Sequence, residues 1–129
     1  MHTLKLTVLP GEFSVCRRAP DAPTDAWMTS GPFWNLSRSE TELSAVVESS
    51  LVPPGEKRED GYALIRFEGP LPFALTGILT AALVPLAAAK ISVFVMSTFD
   101  LDYVMVKRTT LASAVTVLRA AGHDVAGVP

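Results

Sequence analysis

Two short segments carry residue types from which a small-molecule site can be built. The first, Gly69-Pro70-Leu71-Pro72-Phe73-Ala74-Leu75-Thr76-Gly77, is a proline-stiffened loop running into a helical pattern. Unpaired N–H groups at a helix start favour a carboxylate. The second, Ser97-Thr98-Phe99-Asp100-Leu101-Asp102-Tyr103, reads as a turn between two strands. Its hydroxyls can hydrogen-bond a ligand, and Asp100 or Asp102 can pair with an amine. Donors on one loop and an acid on another suit a zwitterion, a free amino acid. Each group also has a local use: Ser97 and Thr98 can bond their own turn, Asp100 and Asp102 can form a solvated turn that ends a strand, and Thr76 and Gly77 allow close packing.

Other chemistries find weaker support. No nucleophile, base and orienting group fall together, so no catalytic residue is expected. Cys16 stands beside Arg17 and Arg18, which would lower an exposed thiol's pKa, but no histidine partner is signalled and it reads as an inert strand residue. As the only cysteine it excludes an internal disulfide. His2 and His123 lie far in sequence from Asp100 and Asp102, so neither a metal nor a cofactor is expected. With 11 basic and 13 acidic side chains, no excess positive charge draws nucleic acid. Phe94 and Tyr103 are poor stand-ins for the stacked aromatics of an RNA-binding sheet. Arg17-Arg18 and Asn35 are the only candidates for an acylphosphatase-like phosphate cradle, and they fall outside the part of the chain with the matching topology.

The elements that position the two segments follow from periodicity. Tyr62–Glu68 alternates as a strand. The stripe Leu75, Ile78, Leu79, Ala82, Leu83, Leu86 has helical spacing with one apolar face. Ile91–Phe99 is a β-branched, aromatic strand, Asp100-Leu101-Asp102 a tight turn, and Tyr103–Arg108 the returning antiparallel strand. Thr109 or Thr110 caps a second helix with Leu111, Ala114, Val115 and Leu118 inward and Gly122 as its stop. Asp124–Val128 is a final strand. The order βαββαβ predicts an α+β, ferredoxin-like domain over residues 62–129.

Residues 1–61 read as a strand-rich unit. Leu4–Leu9, Pro10-Gly11 and Glu12–Arg17 suggest a hairpin, Phe33–Ser37 a further strand, and Leu43–Glu48 a strand in preference to a helix. Ser39-Glu40-Thr41-Glu42 fits a capping box opening a helical turn. Pro53–Gly61 reads as a charged, solvated linker between the units, and Trp27 as a packing anchor.

Residues 62–129 hold only nine charges, and from Gly69 to Phe99 Lys90 stands alone. Gly69–Ala89 is long enough for a membrane span, but its three prolines and single apolar stripe argue for a helix with one buried face. So thin a charge cover predicts burial against the first half and a second copy, hence a homodimer or higher homo-oligomer. The amino terminus lacks the apolar core and cleavage site of a signal peptide, and a cytoplasmic protein is expected.

The stretches LKLTVLPGEFSVCR, GPFWNLSRSETELSAV, EGPLPFALTGILTAALVPLAAAKISVFVMSTFDLDYVMVK and LRAAGHDV together resemble the ACT-domain family related to the CASTOR arginine sensors and their small bacterial relatives. The most specific part is the pairing of PLPFALTGI with STFDLDY. The resemblance implies two ACT-like units in tandem, the first degenerate, associating side by side into larger sheets. It implies regulation without catalysis, through an amino acid held at an interface between units, with a structural oligomerisation domain of vestigial pocket as the alternative. It puts ligand contacts at Pro72, Leu75, Ser97, Thr98, Phe99 and Asp102, within segments that also contain Phe73, Thr76, Gly77 and Asp100. Asp102 matches an acid of the arginine sensor, whereas Leu75 stands where that sensor has a second acid and Pro72 where it has a glycine. A leucine cannot pair with a guanidinium, and an unpartnered buried charge is costly. A smaller or more apolar amino acid is therefore expected.

Overall fold

The computed structural model describes residues 2–129. The chain forms two compact units, one made of the residues up to Pro10 with Ala63–Pro129, the other of Gly11–Tyr62. Among the described residues it has eight strands and two α-helices: β1 Lys5–Val8, β2 Phe13–Arg18, β3 Asn35–Arg38, β4 Leu43–Glu48, β5 Lys57–Phe67, α1 Ile78–Ala88, β6 Phe94–Ser97, β7 Asp102–Lys107, α2 Leu111–Ala120 and β8 Asp124–Ala126. The fold class is α+β, as expected.

In the first unit the chain order from the end of β5 is βαββαβ. β7 lies between β6 and β5, and β1 between β5 and β8. β1 runs antiparallel to β5, with Leu6 opposite Phe67, and parallel to β8, with Leu6 opposite Val125. The amino-terminal strand thus belongs with the carboxy-terminal part of the chain, not with residues 11–61. The expected hairpin at Pro10-Gly11 does not form, since β1 pairs with β5 and β8 while β2 pairs with β4 and β5. The reason is the apolar face: Leu6 and Val8 of β1 bury in the same core as Ala63, Ile65 and Phe67 of β5. These residues alternate along their strands, so all point to the face that carries the helices. Ile78, Ala81, Ala82 and Leu86 of α1 and Leu111, Ala114, Val115 and Leu118 of α2 complete that core.

Helix α1 begins three residues later than the apolar stripe suggests. Gly77 stands before it in the left-handed region, at φ +80°, which stops a helical run coming from Leu75. Pro85 sits inside α1. A proline has no N–H to give the carbonyl four residues back, here Ala81. His123 fills that gap. It is 4% exposed, and its Nε2–H donates to the Ala81 carbonyl at 2.8 Å while its Nδ1 accepts the Leu4 N–H at 3.1 Å. One buried imidazole thereby ties α1 to β1 and satisfies a helix carbonyl that its proline leaves open. Thr110 precedes α2 without capping it; its hydroxyl donates to the Lys107 carbonyl.

The second unit is built on β2 and β4, antiparallel from Phe13 opposite Glu48 to Arg18 opposite Leu43, with β3 on the far side of β4 and the start of β5 beside β2. Leu43–Glu48 is strand, as read. Ser39–Glu42 is no helical turn but the β3–β4 hairpin: the Ser39 hydroxyl accepts the Thr41 and Glu42 N–H groups, the same bonds it would make as a helix cap. The expected charged linker is strand from Lys57 onward. Three of its charges, Glu56, Arg58 and Asp60, are paired: Arg18 bonds Glu56 at 2.5 Å and Asp25 at 2.7 Å, and Asp60 accepts from Arg58 and Ser14. The Arg18 hydrogen bond holds the Glu56 carboxyl below the usual glutamate range. Trp27 packs against Cys16, Val47 and Val52 with Arg18 over its ring. Burial pushes the Cys16 thiol up, against the pull of Arg58 and Arg18, which suits an inert side chain.

Replacing His123 by leucine strands two buried backbone groups, at about 1–3 kcal/mol each. His123→Leu is expected to lower unfolding free energy by about 2 kcal/mol or more in urea titration. Pro85→Ala, which restores an N–H to Ala81, should recover part of that loss. Equal urea midpoints for His123→Leu and the parent would contradict this role.

Candidate functional site

The loop before α1 and the tip between β6 and β7 are held together by one backbone hydrogen bond, Leu71 N–H to the Asp100 carbonyl at 2.8 Å. Gly69 makes that approach feasible. A Cβ on it would lie 2.6 Å from Leu101 Cδ2 and 2.7 Å from the Leu71 amide nitrogen, closer than real Cβ contacts come, and a tight 3.1 Å from the Asp100 carbonyl oxygen. Past Gly69 the loop tightens again, with Leu75 N–H bonding the Pro72 carbonyl at 3.0 Å. Thr76 gives its carbonyl to His2 Nε2–H at 2.8 Å.

The opposing tip is rigid for its own reasons. β6 and β7 form a hairpin in which Ser97 faces Asp102 across the strands. The Ser97 hydroxyl donates to Asp102 Oδ1 at 2.5 Å. Thr98 N–H bonds the Leu101 carbonyl at 2.8 Å, and the Thr98 hydroxyl accepts the Leu101 N–H at 3.2 Å. The local use of Thr98 foreseen from sequence is therefore the one observed, and Ser97 is spent on orienting a carboxylate.

Loop and tip border a half-open cavity of about 190 Å³. Pro72, Phe73 and Leu75 line it from the loop, and Ser97, Thr98, Phe99, Asp100 and Asp102 from the tip. Eight of the ten expected residues thus meet. Thr76 and Gly77 do not line it; they anchor the loop and shape the start of α1. Leu71, Ile78 and Leu101 also line it. Their apolar side chains carry no polar signal in sequence, although each sits inside or beside one of the two site segments. Phe73 and Phe99 stand edge to face with ring centroids 4.7 Å apart. Among the described residues, Asp100 and Asp102 are the only charged ones in the lining. The arrangement can therefore attract an ammonium, while the amides opening α1 have no partner within the helix and can receive an anion.

Among the described residues no group of three His, Cys, Asp or Glu side chains is placed to hold a metal ion, and no helix is long and apolar enough to cross a membrane.

Residues 57–120, from β5 to the end of α2, match the ACT domain family. The structure of protein Atu0741 from Agobacterium tumefaciens is 30% identical in sequence and superimposes with a TM-score of 0.93, over 100% of this chain and 97% of that one. The chain belongs to the ACT-domain family. VC0802 from Vibrio cholerae shares the fold at 18% identity and a TM-score of 0.75, over 92% of this chain and 90% of that one. So does the regulatory subunit of aspartate kinase from Thermus thermophilus, at 10% identity and a TM-score of 0.60, over 92% and 93%. No curated protein matched the chain by sequence. In this ACT domain the cavity lies between the loop after β5 and the β6–β7 hairpin, both inside the matched region.

The Gly69 contact yields a direct check. Gly69→Ala drives a methyl into Leu101 and the Asp100 carbonyl, and overpacking of this kind costs about 1–3 kcal/mol. The variant is expected to melt earlier than the parent by differential scanning fluorimetry, and to expose the Leu71 amide to hydrogen exchange. Unchanged protection of Leu71 would contradict the latch.

Proposed function

We propose that the chain is a non-enzymatic regulatory protein that binds a free amino acid in the cavity between the Gly69–Gly77 loop and the Ser97–Asp102 tip. One observation carries the reading: a single cavity is lined both by an oriented carboxylate, Asp102, and by Ile78, the first residue of α1. The ammonium of an amino acid meets Asp102, with Asp100 adding to the field, and its carboxylate meets the amides beginning at Ile78. The fold of an aspartate kinase regulatory subunit lends the regulatory role support by analogy. The cavity is smaller than the ~300–1,000 Å³ of sites for drug-sized ligands, which favours a small amino acid over one as long as arginine.

The same reading takes the chain as a cytoplasmic, CASTOR-like tandem in which Gly11–Tyr62 is the degenerate ACT-like unit. It associates with itself: Thr80, Val84, Ala87 and Ala88 leave the outer face of α1 without charge, and β6 is an edge strand with no charged residue. Such faces invite pairing with a second copy, which would bring another wall to the amino-acid site. Regulation then acts through a shift between two packings of an oligomer. The rival reading, an oligomerisation domain with a vestigial pocket, draws on the exposed Leu75 in the lining.

A ligand that binds only the folded state raises the melting temperature with its concentration. Thermal shift against the twenty amino acids, followed by calorimetric titration of the best, is expected to find at least one binder. Its affinity should fall about tenfold or more in Asp102→Asn, in line with the ~1.5–3 kcal/mol of a charged hydrogen bond. No shift with any amino acid up to millimolar concentration would leave the oligomerisation reading standing instead.

A further inference from the structure

Phe73 and Phe99 are 76% and 77% exposed, more than any other large apolar side chain of the described residues, yet they are not loose. Their rings meet edge to face, one from each of the two segments that the Leu71–Asp100 bond joins, so the pair bridges the cavity. Leu75, 42% exposed, lines the same cavity. Three of the most exposed large apolar groups of the chain thus border one small space.

We propose that Phe73, Phe99 and Leu75 form an apolar clamp that selects amino acids with a neutral, branched aliphatic side chain. The inference rests on the amino-acid reading of the cavity and adds which class it takes. Polar selection is confined to the tip, where Ser97 and Asp102 stand. The remaining wall, with Leu71 and Ile78 beside the clamp, offers a side chain no ionic partner. An acidic side chain would meet Asp100 and Asp102 as like charges, and among the described residues no Lys, Arg or His lines the cavity to offset them. A guanidinium lying along Leu71, Leu75 and Ile78 would lose its water without gaining a partner. A branched aliphatic group covers apolar area on both rings, and that gain grows with each methyl.

The size dependence makes the clamp testable apart from the site. Calorimetry on the full chain would use L-leucine, L-valine, glycine, L-aspartate and L-arginine as probes, with Phe73→Ala and Phe99→Ala as variants. Because both rings are exposed, the variants should fold, which circular dichroism checks. Leucine and valine are expected to bind at least tenfold more tightly than the other three. Each variant should cost leucine about tenfold and leave glycine unchanged. Preference for arginine or aspartate, or equal losses for leucine and glycine, overturns the clamp. So does a change in mass by light scattering with leucine affinity unaltered, since the rings would then serve contacts between copies. If no amino acid binds, isoamylamine separates the two claims: ring-dependent binding keeps the clamp and discards the amino-acid reading, and no binding overturns both.

Discussion

The candidate site depends on a close backbone approach. Leu71 donates to the Asp100 carbonyl, and Gly69 has no side chain to keep Leu101 away. Without that contact the loop before α1 and the β6–β7 tip would be two separate surface features, each of the sort found on many proteins. With it, Asp102 on one element and Ile78, the first residue of α1, line one cavity. A carbonyl and an amide bonded to each other also need no water, so the seam between the two segments can stay closed while the space beside it takes a ligand.

A second constraint fixes where α1 begins and how it is held. Gly77 in the left-handed region ends the loop, so α1 begins at Ile78, a residue that lines the cavity, rather than at Leu75. Pro85 leaves a gap in the helix's own hydrogen bonding, and buried His123 closes it while binding the backbone of β1. The helix start is thereby referenced to the sheet through a side chain from the far end of the chain. This is the kind of support that keeps a binding wall from drifting by the ångström that would spoil it.

How much of this could be read from the sequence divides along physical lines. The βαββαβ order was legible because its strands and helices bury one face each, and burial imprints a period of two or of 3.6. The pairing of the two site segments was legible because prolines, glycine and aspartates mark loops directly and because the family resemblance joined them. The position of β1 was not, since local alternation at Leu4–Leu9 is the same whether the partner is the next strand or one sixty residues on. Nor were the strand at Lys57–Gly61 and the hairpin at Ser39: charges that pair in space look solvated in sequence, and a serine bonding the amides two and three residues ahead has the same signature in a hairpin as at a helix start. The role of His123 was hidden because its partners, Ala81 and Leu4, contribute only backbone.

The most direct measurement follows backbone amides during titration with a neutral aliphatic amino acid, by two-dimensional 1H–15N NMR of the labelled chain. The account predicts saturable shifts concentrated at Leu71–Thr80 and Ser97–Asp102, the largest at the amides that open α1. Shifts scattered over the chain, or saturable shifts confined to Gly11–Tyr62, would contradict it.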